Sequence, residues 1–413
     1  MTIRPSWVVS AEKSDFSIDN LPYGVFRSGG QVAVGVAIGD EILNLAAVAG
    51  LGFLDEVIAD RTIFARATLN DFISLGVAVW GKTRSRVQQL LSAGNTELSS
   101  VRDQVLVPRS GTELLLPISV GDYTDFYSSI HHATNVGKLF RPDNPLFPNW
   151  RHLPVGYHGR ASSIVVSGTE IVRPSGQVVS AGEETPRFQP TAALDIELEL
   201  AFVVGATTNL GERIPISEAE HAIFGVALFN DWSARDIQKW EYVPLGPFLG
   251  KSFASSMAPW IIPFAALEPF RVQGPTQEPT PLPYLREEGP HHFSIDLEVT
   301  IDTAEGASGT VCRTNASTLY WSMAQQLAHH TSNGCNVRVG DLMASGTISG
   351  SEPGSYGCLL EATQGGKLPV TLSHGVQRTY LKDGDTVTIK GRAESNGVRI
   401  GFGEVVGTIA AAR

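Results

Sequence analysis

Apolar and acidic residues alternate with a period of two in the stretch Leu194-Asp195-Ile196-Glu197-Leu198-Glu199-Leu200. This period predicts a β-strand, because successive side chains of a strand point to opposite faces of the sheet. The apolar side chains would line a buried face, and the three acidic side chains would share the other, each about 7 Å from the next. We expect the rest of the chain to be organised around this strand.

A row of three carboxylates on one strand face repels itself. Each neighbouring pair costs roughly 2 kcal/mol at an effective dielectric near 20 if both groups are ionised. A partly enclosed row therefore needs a cation or protons. Two interpretations stay open from this stretch alone. One is the solvated face of an amphipathic strand, and the other is a site for a hard metal ion with carboxylate ligands.

Length and composition limit the class of protein. The chain has 413 residues, enough for a large core and two domains. Charged residues make up 18% and hydrophobic residues 42%, which excludes a disordered chain. The net charge of -11 argues against nucleic acid or an anionic membrane as a partner. Three widely spaced cysteines, with no secretory signal or long apolar run, predict a cytoplasmic protein.

Local patterns predict two domains, residues 1–118 and 119–413. In the first, Gln31 to Leu45 reads as a hairpin around Gly39-Asp40, and helices are expected over residues 69–75, capped by Thr68, and 83–91. In the second, residues 225–231 read as a buried strand that places Asp231 at a strand-to-helix junction. The simplest interpretation of Arg235, just beyond it, is a surface ion pair with Asp231 or Asp236.

Three further expectations concern the last 150 residues. The seven prolines between Pro263 and Pro290 indicate an extended surface segment, with His291 and His292 exposed beyond it. A core helix is expected over residues 320–327, capped by Asn315 or Ser317. An Asn396-Gly397 turn predicts a final hairpin.

Six long polar motifs carry a family resemblance. They are GDYTDFYSS (121–129), HATNVG (132–137), LPVGYHGRASS (153–163), NDWSARDIQ (230–238), the loop 244–253 and ASGTISG (344–350). Through them, from Phe16 to Phe402, the chain resembles the fumarylacetoacetase family. The resemblance implies a mainly β fold with some α: a small SH3-like β-barrel N-terminal domain and a larger mixed β-roll C-terminal domain, assembled as a homodimer. It also implies hydrolysis of the carbon-carbon bond of 4-fumarylacetoacetate, a β-diketo acid, to fumarate and acetoacetate in tyrosine and phenylalanine catabolism.

The resemblance assigns roles to residues of this chain. The metal ligands, usually for calcium or magnesium, would be Asp125, Glu197, Glu199 and Asp231, with Asp195 just outside the cluster. The general base would be His132 with Glu361 as its partner, and the groups that hold developing negative charge would be Arg235, Gln238 and Lys251. The substrate contacts would be Tyr127, Arg141, Tyr157, Gln238, Tyr242 and Thr347.

Two departures from the family pattern affect this assignment. The family commonly has Arg-Gln before its catalytic histidine, where this chain has Ile130-His131; we choose His132 as the base because Ala133-Thr134-Asn135 follows it in register. The family's Lys-Ser-Phe-Gly-Thr becomes Lys251-Ser252-Phe253-Ala254-Ser255. A second, magnesium-type site at Lys251 and Ser255 is implied, in which Ser255 keeps an oxygen ligand while the Ala254 methyl could crowd the backbone.

Two other functions fit the sequence less well. An acylpyruvate hydrolase, or a related β-diketone hydrolase or decarboxylase of the same superfamily, would keep the fold, but such enzymes generally lack the N-terminal domain expected over residues 1–118. A non-enzymatic metal-binding protein is disfavoured because His132, Glu361 and Lys251 are all present.

Overall fold

The computed structural model describes residues 4–180 and 182–413. Its N-terminal unit is a five-stranded antiparallel sheet with the order β4-β3-β2-β1-β5. The strands are β1 (Tyr23–Ser28), β2 (Gln31–Ile38), β3 (Glu41–Asn44), β4 (Leu106–Pro108) and β5 (Glu113–Leu115). The helices are α1 (Leu45–Gly50), α2 (Asn70–Ile73), α3 (Val77–Leu91) and α4 (Arg102–Val105).

The larger unit is built on a mixed eight-stranded sheet and an antiparallel sheet extended by one parallel strand. Its strands are β6 (Tyr123–Phe126), β7 (Gly156–His158), β8 (Ile164–Val166), β9 (Ile171–Val172), β10 (Ser175–Val178), β11 (Arg187–Pro190), β12 (Leu194–Asp195), β13 (Leu198–Val204), β14 (Ile223–Asp231), β15 (Ser233–Ala234), β16 (Ser255–Met257), β17 (Ile262–Pro263), β18 (Arg271–Val272), β19 (His292–Phe293), β20 (Asp296–Asp302), β21 (Ser308–Asn315), β22 (Leu342–Ala344), β23 (Val370–Thr371), β24 (Gln377–Arg378), β25 (Thr386–Ser395) and β26 (Val398–Ala410). Its helices are α5 (Ile130–Phe140), α6 (Ile216–Ala219), α7 (Arg235–Glu241), α8 (Met323–Thr331) and α9 (Leu359–Ala362).

The mixed sheet has the order β7-β6-β22-β13-β14-β16-β8, with β17 also paired to β14. β6 and β22 run parallel, as do β16 and β8, while the central β13 and β14 are antiparallel. This order brings strands from distant parts of the sequence side by side. The predicted mainly β fold, with a small N-terminal β unit and a larger mixed-β domain, is confirmed.

The opening stretch is not one continuous strand. It is divided into β12 and β13, because the amide of Glu197 donates to Asn230 Oδ1 at 3.0 Å instead of to a neighbouring strand. All seven residues from Leu194 to Leu200 are buried. The interpretation of this stretch as a solvated strand face is therefore wrong.

Some of the other local predictions are confirmed and others are wrong. The first hairpin and the final hairpin around Asn396-Gly397 are confirmed. Helix α2 is shorter than predicted and has no side-chain cap, and α3 begins six residues before the predicted start. Helix α8 begins at Met323, capped by Ser322 instead of Asn315 or Ser317. The predicted exposure of His292 is wrong, since its side chain packs against Gly274 and it is 9% exposed, and His291 is half-buried beside Glu220.

Aromatic side chains join the two units into one core. Trp80 of α3 and Phe224 of β14 pack edge to face with ring centroids 5.2 Å apart, and Tyr23 of β1 lies 5.6 Å from the same phenylalanine. A Cβ atom on Gly205 would lie 2.2 Å from the Trp80 ring. The absence of a side chain at Gly205 therefore allows α3 to approach the larger domain.

Gly205→Ala should lower the free energy of unfolding by about 1–3 kcal/mol, because the added methyl displaces Trp80 from a packed contact. Urea unfolding at equilibrium measures this loss. Gly81→Ala is the matched control: Gly81 lies within α3 with open space around it, so alanine should be neutral or stabilise the helix. Equal stability of the two variants would contradict the contact.

Candidate active site

Four buried carboxylates meet at the centre of the mixed sheet. Asp125 lies on β6, Glu199 on β13 and Asp231 at the end of β14, and Glu197 lies between β12 and β13. One carboxylate oxygen from each residue lies within 4.8 Å of the others. The four predicted ligands are thus brought together, and they form a cluster that could hold a metal ion.

Two buried cations border this cluster. The Lys251 ammonium donates to Glu197 and, at 2.8 Å, to Asp231 Oδ2. The Arg235 guanidinium pairs with Glu197 Oε1 at 2.8 Å and with Asp195 Oδ2 at 2.8 Å. The predicted surface ion pair of Arg235 with Asp231 or Asp236 is therefore wrong, because the strand pairing of β12 with β15 carries the arginine inward.

The two cations stabilise the charge of Glu197 more than the charges of Asp125 and Glu199. Burial opposes the ionisation of Glu197, but Lys251 and Arg235 outweigh it and lower the pKa of this carboxyl to about 2. Burial, and then the neighbouring Asp231, raise the pKa of Asp125 well above its usual range. Burial and Asp125 do the same for the pKa of Glu199. The protein alone therefore leaves negative charge at Asp125 and Glu199 uncompensated.

Unpartnered oxygen atoms mark the same side of the cluster. Asp125 Oδ1 and Glu199 Oε1 are buried and accept no hydrogen bond from any described residue. A buried acceptor without a donor is costly, so these oxygens fit a cation that would complete them. Carboxylate oxygens are the donors preferred by hard divalent ions.

Lys251 and Ser255, the residues of the second predicted metal site, both donate to Asp231 in the structure. Ser255 Oγ donates to Asp231 Oδ1 at 2.8 Å, and the Lys251 ammonium has no lone pair for a metal ion. A metal at this loop would have to use a backbone carbonyl or the hydroxyl of Ser255. This second site stays a prediction.

His132 and Glu361 form a buried pair beside the cluster. Ser129 caps α5 by accepting from the His132 amide, which fixes the histidine in the first turn. His132 Nδ1 lies 2.5 Å from Glu361 Oε2. Burial opposes ionisation of Glu361, but His132, Asn135 and Ser349 outweigh it and lower the pKa of the carboxyl. The neighbouring His131 shows no such partner among the described residues.

A cavity of about 920 Å³ joins these elements. Its lining includes His132, Glu197, Arg235 and Lys251, together with the six predicted substrate contacts: Tyr127, Arg141, Tyr157, Gln238, Tyr242 and Thr347. Tyr157 also donates to Asp231 Oδ2 at 2.8 Å. The predicted catalytic residues, the substrate contacts and the four predicted metal ligands therefore line the cavity or lie beside residues that line it. Their roles stay predictions.

Sequence reasoning missed three residues of this site. Asn135 Nδ2 donates to Glu361 Oε1 at 3.0 Å, Ser349 Oγ to Glu361 Oε2 at 2.8 Å, and Cys358 Sγ lies 3.2 Å from the same oxygen. Asp195, which the sequence placed just outside the cluster, accepts from Arg235 Nε. Asn135 and Ser349 lie inside the quoted motifs, so the motifs could have indicated both residues. Nothing in the sequence singles out Cys358.

Comparison with known proteins agrees with this geometry. The family model described as fumarylacetoacetate hydrolase C-terminal matches residues 123–410, and that described as fumarylacetoacetase N-terminal matches residues 19–117. Curated fumarylacetoacetases are similar throughout: that of Bos taurus is 51% identical over 98% of this chain and 98% of its own, and that of Arabidopsis thaliana 48% over 99% of each. The chain belongs to the fumarylacetoacetase family.

The fold of the fumarylacetoacetase family also appears in distant solved structures. A fumarylacetoacetate hydrolase from psychrophilic Exiguobacterium antarcticum matches with a TM-score of 0.55 at 17% identity, covering 95% of this chain and 99% of that one. No helix in the part of the chain that the structure describes is long and apolar enough to cross a membrane.

Glu199→Gln should weaken divalent-cation binding at least about 10-fold, because it removes one of four converging carboxylates. Isothermal titration calorimetry with Ca²⁺ and with Mg²⁺ measures the affinity. The raised pKa values of Asp125 and Glu199 mean that protons compete with the ion, so affinity should rise with pH and binding should release protons. The control is Glu298→Gln, a half-buried glutamate of β20, and equal affinities of the two variants would exclude the cluster as the binding site.

Proposed function

We propose that the protein hydrolyses the carbon-carbon bond of 4-fumarylacetoacetate to fumarate and acetoacetate. One observation carries this proposal: the His132–Glu361 pair and the four-carboxylate cluster flank the same cavity. Curated fumarylacetoacetases share about half of their residues with this chain along nearly its whole length, which supports this choice of substrate. The β-diketone has two neighbouring carbonyl oxygens, which suits a cavity with acid-base and cation-binding groups side by side.

The cluster would hold Ca²⁺ or Mg²⁺ through Asp125, Glu197, Glu199 and Asp231. A divalent ion bound there supplies Lewis-acid polarisation of a carbonyl and a fixed orientation for the two diketone oxygens. Lys251 and Tyr157 hold Asp231 in place by donating to its Oδ2 at 2.8 Å each. The position of the Asp231 carboxylate therefore does not depend on the substrate.

His132 acts as the general base. With its Nδ1 proton donated to Glu361, its other ring nitrogen is free to take a proton from water in the cavity. The ionised Glu361 fixes this tautomer and stabilises the imidazolium that forms, as in a hydrolytic dyad with water in place of serine. Asn135 and Ser349 keep Glu361 ionised and oriented.

Three buried donors at the cavity have no partner among the described residues. One is Arg141 Nε, and the other two are Arg235 Nη2 and Thr347 Oγ1. A donor held ready in this way stabilises negative charge that develops on the substrate, and each can contribute roughly 3 kcal/mol. Gln238 accepts from Arg235 Nη1 at 3.2 Å and so helps to hold the guanidinium.

The cavity is suited to a dicarboxylate. Three of its lining cations, Arg141, Lys239 and Lys367, form no ion pair with any acidic residue that the structure describes. In a chain of net charge -11 such cations are available to an anion. Arg141 can bind a carboxylate with two parallel hydrogen bonds, and its guanidinium is steadied 4.0 Å above the Phe147 ring.

The alternative, an acylpyruvate hydrolase or related β-diketone hydrolase, has no specific observation in its favour. Residues 19–117 match the fumarylacetoacetase N-terminal family. A cytoplasmic location and a homodimer are part of the proposal. All three cysteines are free thiols, as a reducing compartment requires, and light scattering of the purified protein tests the dimer.

Glu361→Gln and His132→Gln should each lower kcat for fumarylacetoacetate by about 10²–10⁴-fold, because each removes the oriented base. The double variant should lose little more than either single variant, since the two residues act as a unit. Release of fumarate with time measures turnover. His131→Gln, the adjacent histidine, is the control and should keep wild-type activity. Wild-type protein that releases no fumarate would refute the proposed function.

Arg141→Gln should raise KM for fumarylacetoacetate by about 10–100-fold with a smaller effect on kcat, because it removes a carboxylate contact. Initial rates over a range of substrate concentration separate the two constants. Arg151→Gln, an exposed arginine of the following loop that does not line the cavity, should change neither. An unchanged KM for Arg141→Gln would assign the carboxylate to another cation.

A further inference from the structure

We propose that Asp195 is a positioning residue that holds two parts of the catalytic machinery in a fixed relation: the Arg235 guanidinium and helix α9, which carries Glu361. The inference rests on the proposed function of Arg235 and Glu361. Asp195 itself does not line the cavity and is not one of the four clustered carboxylates.

Both oxygens of the Asp195 carboxylate are fully used. Oδ1 accepts from the amides of Leu359 and Ile196, each at 2.7 Å. Oδ2 accepts from the Leu360 amide at 2.9 Å and from Arg235 Nε at 2.8 Å. The side chain is 0% exposed, so no solvent can replace these bonds. Four donors fix the position of this buried carboxylate, and the carboxylate in turn fixes the positions of the four donors.

On one side, Asp195 stabilises the start of α9. Leu359 and Leu360 are the first two residues of this four-residue helix, and their amides have no partner within the helix. Cys358 in the capping position makes no side-chain cap bond, so Asp195 supplies the cap from a distant segment. Glu361 follows directly. Its approach to His132 therefore depends on where the first turn is anchored.

On the other side, Asp195 orients Arg235. Nε is held by Asp195, and Nη1 is held by Glu197 Oε1 at 2.8 Å. Two fixed nitrogens determine the plane of the guanidinium. The third nitrogen, Nη2, is then left without a partner among the described residues. Asp195 thus shares one carboxylate between the proposed charge-stabilising donor and the backbone that carries the base's partner.

The test is Asp195→Asn, which keeps size and shape but replaces one acceptor oxygen by a donor. Asp385→Asn is the matched control: Asp385 is also 0% exposed and accepts from Arg378 at 2.8 and 2.9 Å and from the Lys382 amide at 2.8 Å, but it does not line the cavity. Urea unfolding measures stability, and steady-state rates on fumarylacetoacetate give kcat and KM. Proton NMR follows the low-field resonance of the His132 proton bonded to Glu361, assigned by its loss in Glu361→Gln.

Both aspartate variants should lose stability, but only Asp195→Asn should lower kcat, by about 10–100-fold, with a smaller change in KM. It should also shift or broaden the His132 resonance, which Asp385→Asn leaves in place. If Asp195→Asn does not fold, Asp195→Glu keeps the charge but displaces the carboxylate by one methylene, and the same two changes are expected.

A kcat of Asp195→Asn equal to that of the wild-type protein would overturn the inference. A lowered kcat with an unchanged His132 resonance would overturn it as well. Either result leaves the proposed function standing, because wild-type turnover is measured beside it. Wild-type protein without fumarate release would instead refute the proposed function, and the NMR comparison would still decide whether Asp195 controls the His132–Glu361 pair.

Discussion

Five carboxylates are buried together in this protein with two cations to balance them, and much of the larger domain is arranged around that imbalance. The carboxylates are those of Asp125, Asp195, Glu197, Glu199 and Asp231. Removing each ion from water costs several kcal/mol unless partners compensate it. Arg235 and Lys251 pair with Asp195, Glu197 and Asp231, but two positive charges do not balance five negative ones. Protons on Asp125 and Glu199, or a bound divalent cation, would offset two of the three charges that remain.

The sheet makes this arrangement possible by fixing three of the acids from separate strands. Asp125 on β6, Glu199 on β13 and Asp231 on β14 lie within four neighbouring strands, each held by its own ladder of backbone hydrogen bonds. Like charges on flexible loops would move apart. On strands they cannot, so the carboxylates stay close together in the folded state and can bind a cation.

The sequence predicted the residues of the site better than their surroundings. Local alternation revealed the acidic row, and the family resemblance led to His132, Glu361 and the cavity residues. Arg235 was misread because its true partner, Asp195, lies 40 residues away, and proximity in the chain favoured Asp231 and Asp236. The cap of α8 was misplaced because several Ser and Asn residues precede that helix, and only the fold decides which one accepts from its amides. Strand continuity failed at Glu197 because the Asn230 side chain competes for its amide.

The two carboxylate systems of the site are kept apart in protonation state by their different neighbours. Glu197 and Glu361 each have a partner that outweighs burial, so both ionise readily. Burial, and then the neighbouring carboxylates, raise the pKa of Asp125 and of Glu199, so both groups take up protons more readily than a free carboxyl group does. Acid-base assignments follow from such opposed shifts. A divalent cation that displaced one proton from each of these groups would leave the net charge of the cluster unchanged, so a dianionic substrate would meet the same charge with the cation as with the protons. What the cation would add to the site is a Lewis acid at a fixed position and not attraction for the substrate.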